Sequence, residues 1–290
     1  MAGKAGKLQR AGEAEAVTVD RLILNFESEL SRILRLVERT IVALVRDLAE
    51  EDGRLVRTRA SLGRALRLRK DLIGAFTDAG YRELAEAAID DDLDDLTALV
   101  LEHSGIAGKA ARLTNVNAQA VLAYKELRLA DLLDWQEDTA RILWRTTLDG
   151  VLGLRPVPAL VRDIGAQLDL SLPRARTIYD TAVSTYSRQV NLLQSTGDDG
   201  ELFYYAGPVD DVTRKFCLDR VGKVFSRSEI DKMDNGQIPN CLISGGGYNC
   251  RHAFKQVSIL DDELRQLHET GERLPHVQAQ VDALLKRKAA

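Results

Sequence analysis

From Ile23 to Leu48 the apolar residues fall at Ile23, Phe26, Leu30, Ile33, Val37, Ile41, Leu44 and Leu48. Spacings of three and four place them on one face of a helix. The run predicts a long amphipathic helix, capped at Thr18 or Asp20 and ending near Asp52-Gly53. At 1.5 Å per residue it would be roughly 40 Å long. A stripe of that length is stable only when other helices cover it. The same periodicity returns from Ala118 to Leu148, through Val121, Leu122, Leu129, Leu132, Leu133, Ile142 and Leu143, with Trp135 and Trp144 as large core candidates. A short helix is expected over Ala159–Leu168 and another from Arg174 to about Gln194, with Ser171 as cap and Pro173 in its first turn.

The fold class expected is mainly α: an elongated bundle of long helices, then a small α+β C-terminal module with a candidate zinc clip, then a terminal helix. The 290 residues suit one large or two modest domains, and 45% apolar residues suffice for a real core. Residues 1–17, rich in Ala, Gly, Lys and Glu, are read as a flexible arm. A helical domain follows over 18–196, and Thr196–Gly200 (TGDDG) is the clearest boundary. Glu201–Ala206 (ELFYYA) reads as a strand that opens a small module over 201–257. Residues 258–290 close the chain with a charged helix, from Leu260 to Lys288.

Charge excludes one class of function. A net charge of −4 is incompatible with a generally basic, histone-like DNA binder. Local patches remain. Arg54, Arg57, Arg59, Arg64, Arg67, Arg69 and Lys70 lie in a stretch with no acidic residue, and Glu83, Glu86, Asp90, Asp91, Asp92, Asp94 and Asp95 follow soon after. These read first as solvated helix faces that partly neutralise each other, and second as a basic surface for DNA or an acidic partner. No secretory signal and no apolar run of about 18 residues is found, so synthesis in a cytoplasm and no membrane partner are expected.

All three cysteines fall in one short stretch, as Cys217-x23-Cys241-x8-Cys250-x-His252. Three thiols and an imidazole are the ligand set of a tetrahedral structural zinc site. A loop-rich segment has little apolar surface of its own, and a metal clip would supply the missing stability. Ser244-Gly245-Gly246-Gly247 would let the backbone curl between Cys241 and Cys250. Three other readings stay open: buried unligated thiols, a Cys241–Cys250 disulfide formed on release from the cell, and a catalytic cysteine–histidine pair.

The order of these pieces resembles a known family. A helix RARTIYDTAVSTYSRQV (Arg174 onward), a strand at Glu201–Ala206, Asp211-Val212-Thr213 with Cys217, Gly222-Lys223-Val224-Phe225, and Asn249-Cys250-Arg251-His252 together resemble the Mu F-like phage head-morphogenesis domain. The likeness covers roughly residues 157–257. Asp180-Thr181-Ala182 stands where the family helix often has Arg-Thr-Glu, so no role of that glutamate carries over. His252 stands where many members have a cysteine, a replacement that keeps a zinc-binding side chain.

The resemblance implies a structural minor head protein of a tailed double-stranded DNA phage or prophage. Such a protein is made in the host bacterial cytoplasm and located in the virion at the head or portal vertex. Its partners would be the portal or the major capsid protein, in an assembly of several copies, with a role in head morphogenesis, packaging or DNA delivery. An alternative is a virion protein that anchors packaged double-stranded DNA. The segment Asp211–Lys255 carries eight basic residues against five acidic ones, which is compatible with weak affinity for DNA. An effector enzyme such as a nuclease is a further alternative. No Gly-x-Ser-x-Gly, His-Glu-x-x-His or Walker A loop is present, so the expectation is of no enzyme.

Overall fold

The structure, a computed structural model, describes residues 3–48, 50–106, 115–193, 195, 200–258 and 260–289. Long helices dominate it, with a small sheet near the C-terminus and helices after that, as the sequence predicts. They are α1 (Lys4–Arg46), α2 (Arg59–Asp78), α3 (Tyr81–Ile106), α4 (Asn115–Leu152) and α5 (Val157–Leu192). The expected boundary at 196–199 lies outside the described residues. Two units are found, each built from separated segments. The first comprises Met1–Leu22, Asp92–Tyr124 and Asp180–Ala290, the second Ile23–Asp91 and Lys125–Tyr179. Among the described residues no helix is long and apolar enough to cross a membrane.

The second unit is helical apart from one small hairpin. Phe76, Tyr81 and Trp135 meet in its core, with ring centroids 5.2 to 5.9 Å apart and two of the three contacts edge-on. The polar tips of its aromatics end on helix carbonyls. Tyr81 Oη donates to Leu132 at 2.8 Å, Trp135 Nε1 to Ser171 at 3.1 Å and Trp144 Nε1 to Ala65 at 2.8 Å. Asp52-Gly53, expected to end the first helix, instead turns a hairpin between β1 (Glu50–Glu51) and β2 (Arg54–Leu55). Both turn residues have positive φ, +50° and +74°, which suits an Asp-Gly pair in a two-residue hairpin loop. Thr58 then caps α2, accepting the Ser61 N–H at 3.0 Å.

Pro173 is a correction. It lies inside α5 rather than in the first turn of a new helix, and Ser171 does not cap, because its hydroxyl donates to Leu168 at 2.7 Å. Proline frees the carbonyl four residues back, that of Asp169. Asp169 and Leu170 are exposed, so water can satisfy that carbonyl and the helix continues.

The first unit holds the sheet. Strands β3 (Leu202–Ala206), β4 (Val224–Ser226) and β5 (Ala253–Val257) pair antiparallel in the order β4-β3-β5, with Phe203 opposite Phe225 on one side and Gln256 on the other. Every residue of β3 is buried, so both of its faces are covered. Short helices α6 (Lys215–Arg220), α7 (Arg227–Ile230) and α8 (Cys241–Ser244) fill the loops between strands. The expected closing helix is two helices, α9 (Asp262–Thr270) and α10 (Pro275–Ala289). Gly271 at φ +65° ends the first, and Pro275 opens the second.

The N-terminal arm is a second correction, since residues 4–17 are helix and not loose chain. Ala5 and Leu8 are buried in the core that also holds β3, Val277, Val281 and Leu284. Gly12 lies against Ala206, and a Cβ there would run into the Ala206 methyl. Small side chains therefore serve a close helix–strand approach.

Candidate metal centre

Three of the four residues singled out by their spacing come together. The donor atoms of Cys217, Cys250 and His252 lie within 4.8 Å of one another, and all three residues are buried. Cys217 is carried by α6, which follows the Thr213 turn, where Thr213 Oγ1 accepts the Asp210 N–H at 3.0 Å. Cys250 and His252 lie on the approach to β5. Cys241 is placed apart: its thiol donates to the Met233 carbonyl at 3.2 Å. The expected four-ligand set is thus three ligands and a separate thiol.

The separations suit a metal. Cys217 Sγ stands 3.7 Å from Cys250 Sγ, which stands 4.0 Å from His252 Nδ1. A tetrahedral zinc with Zn–S of about 2.3 Å and Zn–N of about 2.0–2.1 Å sets its sulfurs about 3.8 Å apart, and sulfur and nitrogen about 3.6 Å apart. His252 Nε2 is buried and has no hydrogen-bond partner among the described residues. Its Nδ1 has only the long approach to sulfur. A buried imidazole so poorly satisfied by protein is what a bound ion would explain. The group could hold a metal.

The surroundings favour a thiolate at Cys250. Its pKa is held well below the ordinary thiol range, first by the hydrogen bond from Cys217 and then by His252 and the Arg188 guanidinium, against the opposing effect of burial. The Gly246 N–H (3.0 Å) and His252 N–H (3.4 Å) also point at this sulfur. Cys217 is pushed up, because it gives its proton to Cys250 and is itself buried. Metal binding would remove the second proton.

Several participants went unread in the sequence. Tyr205 on β3 brings its hydroxyl within 3.4 Å of Cys217 Sγ and 3.8 Å of Cys250 Sγ. Arg188 of α5 donates to the carbonyls of His252 (2.9 Å), Ile243 (3.3 Å) and Cys250, tying the loop ends to the helix. Gly246 has no room for a side chain, because a Cβ would strike the sulfurs of Cys217 and Cys250. Only the glycine run hinted at this.

A second buried cluster lies in the same unit. Glu15 of α1 accepts from Lys255 of β5 and stands 2.9 Å from His103 Nδ1, with Ser187 Oγ at 3.3 Å. Burial alone would raise the Glu15 pKa, but Lys255 and then His103 outweigh it and hold the carboxyl below its ordinary value. Strand alternation was the available signal, since it puts Lys255 on the same face as Ala253 and Val257.

Comparison with known protein families, with curated proteins and with solved structures returned no match.

Proposed function

We propose that this chain is a structural minor head protein of a tailed double-stranded DNA phage or prophage, bound to the portal or capsid interior in several copies, and that Cys217, Cys250 and His252 hold a zinc ion. One observation supports it most: motif pieces scattered from residue 174 to 257 interlock. Arg188 of the RARTIYDTAVSTYSRQV helix grips the Cys250 and His252 carbonyls. The Gly222-Lys223 turn bonds to Tyr205 in both directions, Gly222 N to Tyr205 O at 2.8 Å and Tyr205 N to Lys223 O at 2.9 Å. Arg251 pairs with Asp210 at 2.5 Å, beside Thr213. Residues that resemble one family thus depend on one another physically, and a fortuitous match would not require that. When bound, zinc would cross-link α6 to the approach to β5.

Two measurements test the reading. Protein purified without added zinc is expected to carry about one zinc per chain, and a Cys250→Ala variant almost none. In the producing strain, the chain is expected in purified virions and in pull-downs of the portal. Its absence from both would sink the head-protein reading, whatever the metal content.

A second reading, that the protein anchors packaged DNA, has one observation in its favour. Among the described residues, Arg57, Arg59, Arg67 and Lys70 are exposed on or beside α2 and make no ion pair. Elsewhere in that unit Arg32, Arg82, Arg141, Arg155, Arg174 and Arg176 each hold a carboxylate. The acidic run does not neutralise the basic one through the pairs seen, since Arg69 meets Glu137 and Lys125 meets Asp90. Affinity for duplex DNA that falls steeply with salt, and weakens on Arg59→Gln/Arg67→Gln, would favour it. Salt-independent binding would remove it.

A further inference from the structure

Building on the metal reading above, we infer that the metal held by Cys217, Cys250 and His252 keeps a fourth coordination position open, and that this position takes a small carboxylate. Three observations carry this. A cavity of about 220 Å³ is lined by all three donor residues together with Thr213, Arg214 and Arg251. The thiol expected to close the site, Cys241, is bonded elsewhere, to the Met233 carbonyl. Tyr205, which approaches both sulfurs from β3, does not line the cavity. Three protein ligands facing a cavity are the arrangement of a site with an exchangeable position, whereas structural zinc sites are closed by four.

Size and charge specify the occupant. The cavity is smaller than the roughly 300 Å³ at which pockets for drug-sized ligands begin, yet exceeds the about 30 Å³ of a single water several times over. Two thiolates and a neutral imidazole cancel the charge of a divalent metal, so the walls decide the sign. Arg251 is matched by Asp210 and Asp20. Among the described residues, Arg214 is bonded only to neutral groups: the Gly246 carbonyl at 2.9 Å, the Tyr248 carbonyl, and Gln237 Oε1 at 3.4 Å. Its guanidinium, with no carboxylate partner among the described residues, favours an anion, and a small planar carboxylate is one that matches both its fork and the size of the cavity.

The experiment loads the full-length protein with cobalt(II) and follows its visible d–d bands while azide, then acetate, is added. The expected result is a saturable shift with azide that acetate competes away, unchanged in Cys241→Ser. Acetate affinity should weaken about tenfold or more in Arg214→Gln, the loss of one charge-assisted contact. Bands that ignore azide, and that move in Cys241→Ser, would mean a closed site and overturn the inference while leaving the metal reading standing. An azide shift that acetate cannot compete would overturn the carboxylate assignment. Failure to bind cobalt at all would remove the metal reading, and the open position with it.

Discussion

The two units are held together by different physics. In the second, the large core residues are aromatics whose hydroxyls and indole N–H groups end on helix carbonyls, and the charged pairs lie mostly at the surface, many at helical spacing, as in Arg82–Glu86 and Arg141–Asp138, with the buried Lys125 reaching the exposed Asp90. In the first, charge is inside: Glu15 with Lys255, Arg188 on three carbonyls, and a thiol pair beside an imidazole. A core built on aromatics tolerates the loss of one hydrogen bond. A core with buried charge fails sharply when one partner goes. The candidate metal centre lies in the first unit.

The largest effect expected tests this contrast at Glu15. Glu15→Gln should cost about 3–5 kcal/mol in urea unfolding, because it strands Lys255 without a counter-charge. Adding Lys255→Met should restore much of that, and failure of the double variant to recover would contradict a charge-based account. The same carboxylate sets a pH dependence. A carboxyl held low in the folded state contributes fully above its unfolded value of about 4.3 and loses that contribution as pH falls through the lower folded value. The urea midpoint should therefore drop on acidification below about pH 4, and Glu15→Gln should flatten that limb.

Gly246→Ala comes next. Its methyl group would push into two sulfurs, costing about 1–3 kcal/mol and lowering bound metal more than overall stability. Normal metal content in a folded variant would show that the sulfurs can move apart. The smallest effect is expected in the second unit. Tyr81→Phe removes one bond to the Leu132 carbonyl and should cost about 1 kcal/mol, with metal content unchanged. A loss as large as that from Glu15→Gln would erase the distinction between the units.

How much of this could be read from residues alone differed by element. Aliphatic side chains at spacings of three and four made the long helices visible, and ELFYYA declared the central strand. The first turns of α1 were missed although the same period is there, at Ala5, Leu8, Gly12, Ala16 and Val19. Alanine and glycine carry it, and small residues look like a linker until a strand is found lying against them. Pro173 looked like a boundary because the exposure of Asp169, which lets the helix tolerate it, is not written locally. Asp52-Gly53 is a hairpin signal that the preceding helical pattern masked. For the site, Cys217, Cys250 and His252 were legible by type and clustering. Nothing in spacing separates Cys241 from them, because the choice is made by α8 and the glycine turn that follows it. Glu15 and Lys255 are 240 residues apart, and no local pattern pairs them.

That separation also has a temporal side. Lys4 and Ala5 bond to Glu263, Gln9 to Gly207, and Glu15 to Lys255. During synthesis the first helix leaves the ribosome long before any of these partners exists. It must wait, with a buried-type glutamate and a strip of small apolar residues facing water, until Lys255 and Glu263 have followed. Such long-range closure is slow and exposes the nascent chain to proteases and aggregation in the interval. The first unit should accordingly be protected later than the second, although its Met1–Leu22 segment precedes all of the second in the chain.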